Sequence, residues 1–512
     1  MDRRHFLQIG GGGLAALLAG CGGGGGSSSP PPPPPSGGGL VSGGTDFGPL
    51  ASRLQGSVMV PTTTGYDSVR LLANTLYDDI KPTAIVRCAS AADVQAALAF
   101  VQDKGLHVTA RCGGHSWAGY STTTGVVLNV NAMNSVTANG DGTATVGAGA
   151  RLAEVYSNLI AQGVCIPSGT CPTVGIAGIT MGGGIGVLDR QFGLTCDTLV
   201  SADIVTVDGR LLTCSATSEP DLFWAIRGGG GGNFGIATSF TYRTHPTQDV
   251  TIARASFAMA DFAAVFKAWQ AWPQTLPDSI WAQIFVNIYQ GSAIFTVSAW
   301  CLGTAADMTP HWNAFLSAAG AAPVTGGGLD PFVAQQRYGD VALASCGSDT
   351  LAQCSLQGVT AAGAVQRYAE VLSSDYFDTA IPDAGIQALV DRAIALAQSG
   401  GVGSYIFDHM GGALGRVAAD ATAFPHRNAL FSVEYAVSRI GGFAYDATWP
   451  NAMRGVMAPW STGGAYVNYL DPLLTDWPTA YYGANYARLQ QVKKTYDPNR
   501  VLSMPQGVVP AS

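Results

Sequence analysis

Hydrophobic periodicity divides the chain into two regions. In the first, Ser90 precedes apolar residues at helical spacing (Val94, Leu98, Val101), and Gly105 separates that segment from the alternating pattern LHVTAR, which predicts a capped helix followed by a strand. From about residue 250, strand-like segments such as WAQIFVNIYQ and AIFTVSAWC alternate with helix-like ones such as DFAAVFKAWQAW and WNAFLSAAG. These patterns predict an α+β protein whose second region is an antiparallel sheet covered by helices on one face.

The first 45 residues lack this periodicity and resemble processing and tether segments. Arg3 and Arg4, followed by an apolar stretch too short to span a bilayer, resemble a twin-arginine export signal. The sequence before Cys21 resembles a bacterial lipobox. We therefore expect a signal over residues 1–21, a Gly/Ser/Pro-rich linker over 22–45, and a cell-envelope protein attached to membrane only through lipid on Cys21. An uncleaved anchor or plain secretion is the alternative.

Composition narrows the class of partner. The 512 residues carry a net charge of −8 and only 12% charged residues, about half of the ~25% usual in soluble domains. No Lys/Arg cluster follows the first residues, which argues against nucleic acid as a partner. A neutral or weakly charged small molecule fits this composition better, and no Cys/His spacing suggests a zinc site.

The segment ARCGGHSWAGYS (110–121) contains the most unusual motif of the first region. Its glycines allow close approach of the backbone to a ligand, so His115 lies in a phosphate-binding loop, beside a serine nucleophile, or in an ordinary turn. A strand pattern, GVVLNVN, follows, whereas a nucleophile elbow requires a helix there. Gly147-Ala148-Gly149 resembles only half of a dinucleotide fingerprint.

A longer motif, PSGTCPTVGIAGITMGGGIGVLDRQFG (167–193), together with ARCGGHSWAGYS, resembles the berberine-bridge-enzyme-like flavoproteins of the vanillyl-alcohol-oxidase class. Three further segments agree in order: DLFWAIRGGGGGNFGI, AFPHRNALFSVEY, and YVNYLD followed by YYGANYARLQQVKKTYDPNRV. The resemblance covers residues 80 to 506. It implies an FAD-binding domain in two parts, residues 46–248 and a C-terminal return at 471–512, around a substrate domain at 249–470.

This resemblance also implies cofactor contacts. His115 corresponds to the family's covalent link to the flavin 8α-methyl group, and Cys171 to a second link at flavin C6. Val174 corresponds to a position that governs oxygen access, and valine there is similar to the oxygen-reactive members. The resemblance further implies cofactor contacts at Arg111, Gly113, Gly114, Ser116, Gly175, Gly178, Gly182, Gly183 and Asn485, the last close to the ribityl chain or ring. Ile179-Thr180-Met181 departs from the His-x-Ser of many relatives and makes that pocket more apolar.

The implied reaction is hydride transfer from a C–H next to an O–H, in a sugar-like or other secondary alcohol, to FAD, with O2 giving hydrogen peroxide. Tyr466 of the YxN motif is the first candidate for the base, and Glu434 of FSVEY is the second. Three alternatives stay open: a dehydrogenase with an envelope electron acceptor, an amine or alkaloid oxidase, which an acidic pocket would favour, and a non-catalytic surface lipoprotein.

Overall fold

The computed structural model describes residues 40–289, 291–329, 336–337, 367 and 369–512. The predicted signal and lipidation at Cys21 lie outside these residues, as does most of the predicted linker. Its last residues belong to the fold, because β1 (Val41–Ser42) pairs with β2 (Thr45–Asp46) and the Phe47 N–H donates to the Leu40 carbonyl. No helix in the described part of the chain is long and apolar enough to cross a membrane.

The first sheet has four strands in the order β3-β4-β6-β5, with β4 and β5 parallel to β6. Its strands are β3 (Ser57–Met59), β4 (Ala84–Arg87), β5 (Val108–Arg111) and β6 (Val126–Asn129). Helix α3 (Ala91–Asp103) joins β4 to β5, and the Ser90 hydroxyl accepts a hydrogen bond from the Asp93 N–H, which confirms the predicted cap. Strand β5 ends at Arg111 and delivers the Gly-Gly-His loop to the edge of this sheet.

The second sheet is antiparallel and has the order β11-β10-β12-β8-β7. Its strands are β7 (Val136–Ala138), β8 (Thr143–Gly147), β10 (Leu199–Val205), β11 (Leu211–Ser215) and β12 (Ile236–Arg243), and a separate pair joins β9 (Val164–Cys165) to β13 (His245–Pro246). The remaining helices of this half are α1 (Gly48–Ala51), α2 (Tyr66–Arg70), α4 (Leu152–Ala161), α5 (Ile176–Met181), α6 (Asp189–Phe192) and α7 (Pro220–Ala225). Loops of both sheets converge on the cavity described below.

The third sheet is antiparallel, begins at Asp249, and runs in the order β17-β14-β16-β15-β20-β21-β19, with β18 beside β14. Its strands are β14 (Asp249–Ala258), β15 (Ile280–Tyr289), β16 (Ser292–Leu302), β17 (Thr325–Leu329), β18 (Gln336–Arg337), β19 (Ala369–Phe377), β20 (Gly403–His409) and β21 (Phe431–Arg439). Helices α8 (Phe262–Ala271), α9 (Ala305–Ala319), α10 (Asp383–Gln398) and α11 (Trp449–Met457) cover one face. The predicted sheet with helices on one face is thus confirmed.

Alternation along these strands separates the two faces of the third sheet. In β15, Ile280, Ala282 and Ile284 pack under the helices, whereas Trp281 and Gln283 face the cavity. Because successive side chains of a strand point to opposite faces, polar residues such as Gln283 on β15 and Asp408 on β20 line the cavity while neighbouring apolar residues pack under the helices.

The C-terminal segment returns to the first two sheets through α12 (Trp477–Tyr482) and α13 (Tyr486–Tyr496). Within it, the Lys493 ammonium donates to the carbonyls of Asn233, at 2.6 Å, and Leu502, at 2.8 Å, and to the Asp497 carboxylate, at 2.6 Å. Lys493 and Asp497 are both fully buried. This ion pair ties the tail to the glycine-rich loop 228–233.

Candidate active site

A cavity of about 330 Å³ lies between the loops of the first two sheets and the polar face of the third, within the ~300–1,000 Å³ usual for small-molecule sites. His115 and Cys171 lie on the loop side, and Asp408 and Glu434 lie on the sheet side. The structure therefore brings together residues that are far apart in sequence, such as His115 and Glu434, which are 319 positions apart.

The two loops that carry His115 and Cys171 pack backbone against backbone. A Cβ on Gly113 would overlap the Gly175 amide, and one on Gly175 would overlap the Cys112 sulfur, so both positions require glycine for loop packing as well as for lining the cavity. The ring Nε2 of His115 lies 2.7 Å from the Thr173 hydroxyl. Burial lowers the pKa of His115 to about 4, so its imidazole is neutral at pH 7.

Cys171 lies on the same wall as His115, and Val174 lines the cavity three residues later. Burial, together with the nearby charges of Glu434 and Glu370, raises the pKa of the Cys171 thiol to about 12. Because the thiolate is the nucleophilic form, Cys171 requires a base before it can bond to any electrophile.

The other predicted loop residues divide into two groups. Gly114 has φ of +72° and the Ser116 hydroxyl accepts a 3.0 Å hydrogen bond from the Tyr120 N–H, so both shape the loop while lining the cavity. Gly178 lines the cavity too, and a Cβ on it would meet no atom within 4 Å.

Gly182, Gly183 and Asn485, in contrast, do not line this cavity, and their contact with the flavin stays a prediction. A Cβ on Gly182 would overlap the Asn468 amide, and one on Gly183 would press on the Phe424 ring, so these glycines make room for protein side chains. The Asn485 amide donates to the carbonyls of Ala419, at 2.8 Å, and Thr422, at 3.2 Å.

Tyr466 is buried, and its phenol oxygen accepts three hydrogen bonds. The donors are the Gly184 N–H at 2.8 Å, the Ile185 N–H at 3.3 Å and the Asn468 amide at 2.8 Å. The same Asn468 nitrogen also donates to the Ile179 carbonyl at 3.2 Å, which fixes the orientation of the amide. Burial raises the pKa of Tyr466 to about 12, and the three hydrogen bonds oppose that rise because they stabilise the phenolate.

Three carboxyl groups project from adjacent strands of the third sheet into the cavity. Burial is the main cause that raises the pKa of Asp408 to about 6, of Glu370 to about 7 and of Glu434 to about 8. The Gln283 amide donates to Asp408 at 2.9 Å and the Ser438 hydroxyl to Glu370 at 2.7 Å. Glu434 accepts from Tyr469 rather than Tyr466, and the rings of these two tyrosines are 5.0 Å apart.

Sequence reasoning missed Thr173, Glu370, Asp408 and Gln283. Gln283 and Asp408 are polar residues within largely apolar strands. Because the side chains of a strand alternate between its two faces, such a polar position could have marked them as facing a cavity. Their mutual proximity had no sequence signal, because β15, β19, β20 and β21 are separated along the chain.

Comparison with known proteins agrees with this geometry. A family model for the FAD binding domain matches residues 82–215, and one described as berberine and berberine like matches residues 465–509. An uncharacterised FAD-linked oxidoreductase of Bacillus subtilis, YgaK, is 30% identical over 469 residues, which are 90% of this chain and 98% of that protein. The chain belongs to the berberine-bridge-enzyme-like FAD-linked oxidoreductases.

Two further relatives of this family are informative. The glucooligosaccharide oxidase of Sarocladium strictum is 29% identical over 461 residues, 84% of this chain and 88% of that enzyme. The structure of Physcomitrella patens BBE-like 1 superposes with a TM-score of 0.81 at 29% identity, covering 91% of this chain and all of that one. The predicted family, fold and enzyme class are confirmed.

The residues that line the cavity fit FAD. Arg111 is buried, and its guanidinium donates to the carbonyls of Ser121 and Val69 at 2.9 and 2.8 Å, while Nη2 has no partner among the described residues. Burial lowers the pKa of Arg111 to about 10, so it keeps the positive charge that suits a pyrophosphate. Gly178 leaves open space beside the cavity for a bound group, and a larger side chain at this position would fill that space.

Proposed function

We propose that this oxidoreductase holds FAD covalently through His115 and Cys171 and oxidises a CH–OH group of a sugar-like substrate, with O2 as acceptor and hydrogen peroxide as product. The observation that carries the proposal is the convergence of three hydrogen-bond donors on Tyr466. Such an arrangement stabilises negative charge on a phenol oxygen, as a base for a hydroxyl proton requires.

The chain's own residues account for the proton transfer and for substrate orientation. When bound, FAD supplies the acceptor for the hydride. Tyr466, as the phenolate, takes the hydroxyl proton, and the Gly184 and Ile185 N–H groups with Asn468 hold its oxygen in place. Glu434 is the second candidate for the base and is linked to Tyr466 only through Tyr469.

The wall of the cavity that the third sheet forms, here called the sheet wall, suits a substrate rich in hydroxyl groups. Trp281 and Trp300, with ring centroids 5.1 Å apart, line the cavity beside Asp408 and Gln283. Aromatic surfaces pack against sugar rings, and carboxylate and amide groups accept and donate hydrogen bonds to hydroxyls. The name of the glucooligosaccharide oxidase supports the same substrate class.

The carboxyl groups favour a second candidate, an amine substrate. With pKa values of about 6, 7 and 8 for Asp408, Glu370 and Glu434, the sheet wall carries negative charge at neutral pH that increases as the pH rises. A protonated amine is attracted to such a wall. An acidic pocket is the feature that would favour the amine or alkaloid oxidase among the alternatives above.

Peroxide release distinguishes these candidates. The purified full chain is mixed with a panel of aldoses and oligosaccharides and, separately, of primary to tertiary amines, and hydrogen peroxide is measured against reduction of an artificial electron acceptor. We expect peroxide with the carbohydrate panel. Peroxide with amines alone would select the second candidate, and dye reduction without peroxide would make the protein a dehydrogenase. Valine at position 174 supports the oxidase.

We further propose that the protein is exported by the twin-arginine route and held in the bacterial cell envelope by lipid on Cys21. Arg3-Arg4 and the residues before Cys21 support this. Export of a folded protein agrees with a cofactor that is inserted before transport.

A further inference from the structure

Thr173 contacts the imidazole of His115 but does not line the cavity. Its hydroxyl lies 2.7 Å from Nε2 of His115, and Thr173 is not among the cavity-lining residues, whereas His115 is. The Trp117 ring packs edge-on against the imidazole with centroids 6.1 Å apart. These two contacts fix the plane and the rotation of the imidazole.

The other ring nitrogen, Nδ1, is not used by these two contacts. The hydrogen bond of His115 to Thr173 uses Nε2, and Nδ1 makes none to any residue that the structure describes. Because burial keeps the imidazole neutral, one nitrogen carries the proton and the other a lone pair. If Nε2 donates its hydrogen to the Thr173 oxygen, the lone pair is on Nδ1 and directed away from Thr173.

We propose that Thr173 is the positioning residue for covalent flavin attachment: its hydroxyl holds His115 in the tautomer and orientation in which Nδ1 bonds to the flavin 8α-carbon. This inference rests on the proposed covalent link at His115. It assigns a role to the threonine of CPTVG, which does not line the cavity itself.

The atoms and electrons of this step balance with O2 as oxidant. One C–H bond of the 8α-methyl group and the His115 N–H bond break, and the Nδ1–C bond forms. The two electrons and two protons released pass first to the flavin and then to O2, giving hydrogen peroxide. During this change Nε2 loses its proton and turns from donor to acceptor.

A hydroxyl suits Nε2 on both sides of the reaction. Threonine oxygen accepts a hydrogen bond from the protonated nitrogen before the step and donates one to the bare nitrogen after it. Valine has nearly the same shape and can do neither, whereas serine can do both. The pair of substitutions therefore separates the hydroxyl's role from packing.

The test uses the full chain with Cys171→Ala, so that only the His115 bond retains flavin after denaturation. Thr173→Val and Thr173→Ser are added separately, each protein is incubated with FAD in air, and the flavin absorbance of acid-precipitated protein is followed with time. We expect attachment to slow about tenfold or more with Thr173→Val, as for loss of a hydrogen bond to an ionising group, and to stay near the parent rate with Thr173→Ser.

Equal rates for Thr173→Val and its parent would overturn the inference. Failure of Thr173→Ser to restore attachment would also overturn it, since packing would then be the cause. If Thr173→Val does not fold, Thr173→Ala replaces it, with non-covalent FAD binding as the folding control. A Cys171→Ala parent that never retains flavin would instead show that the proposed His115 link is wrong.

Discussion

Replacing Tyr466 by phenylalanine is expected to lower kcat by roughly 10²–10⁴-fold, the range typical of a general base. The substitution removes only the oxygen that accepts the Gly184, Ile185 and Asn468 hydrogen bonds. The aromatic ring and its packing against Phe424 and Tyr469 stay in place. Steady-state kinetics on the substrate identified by peroxide release measures the effect, with flavin content as the control for folding.

The dependence of kcat/KM on pH also tests Tyr466 as the base. Below the pKa of about 12 the phenol holds its proton and is inactive as a base, so kcat/KM rises with pH toward that value. Asn468→Ala removes one donor to the phenolate, which raises the pKa further and lowers kcat/KM at a given pH by roughly tenfold.

Tyr466→Phe enzyme with full flavin content and kcat within about threefold of the parent would contradict this role for Tyr466. In that case Glu434→Gln becomes the decisive variant. Glu434 has a pKa of about 8, so a base at that position predicts a rise in kcat/KM that levels off above pH 8.

Replacing Lys493 by methionine is expected to lower the free energy of unfolding by about 3–5 kcal/mol, as when one partner of a buried ion pair is removed. The Asp497 carboxylate is fully buried and would lose its only cationic partner among the described residues. The carbonyls of Asn233 and Leu502 would also lose their donor. Because both of these residues line the cavity, FAD incorporation is expected to fall as well.

Lys494→Met is the matched control for Lys493→Met. Lys494 is the next residue of α13, is exposed, and donates only to the Ser512 carbonyl at 2.7 Å, so its loss should change stability by less than about 0.5 kcal/mol. Denaturant unfolding of both variants measures the difference. Equal stability of the two would show that the buried pair is not a structural requirement.

The elements predicted from the sequence are those whose ends are set by interactions within a few residues. Ser90 and Gly105 bound the helix between β4 and β5 because capping and positive φ act within a few residues. Helix α9 was predicted too short, since it begins at Ala305 and continues through Pro310 although proline removes a backbone donor.

The parts of the site that could not be predicted from the sequence depend on tertiary contacts. The motifs located His115, Cys171 and Tyr466, but no motif indicated that Gly182 and Gly183 make room for the side chains of Asn468 and Phe424. The carboxyl groups of Glu370 and Asp408 come together only through the pairing of β19, β20 and β21. Pairing between distant strands has no counterpart in a single sequence's periodicity.

The most direct test of the covalent-flavin assignment is the absorbance of the acid-precipitated full chain. We expect a yellow pellet for the parent protein, for His115→Ala and for Cys171→Ala, and a colourless pellet with yellow supernatant only when both residues are replaced. Flavin that leaves the parent protein entirely on precipitation would contradict the assignment of His115 and Cys171 as covalent anchors.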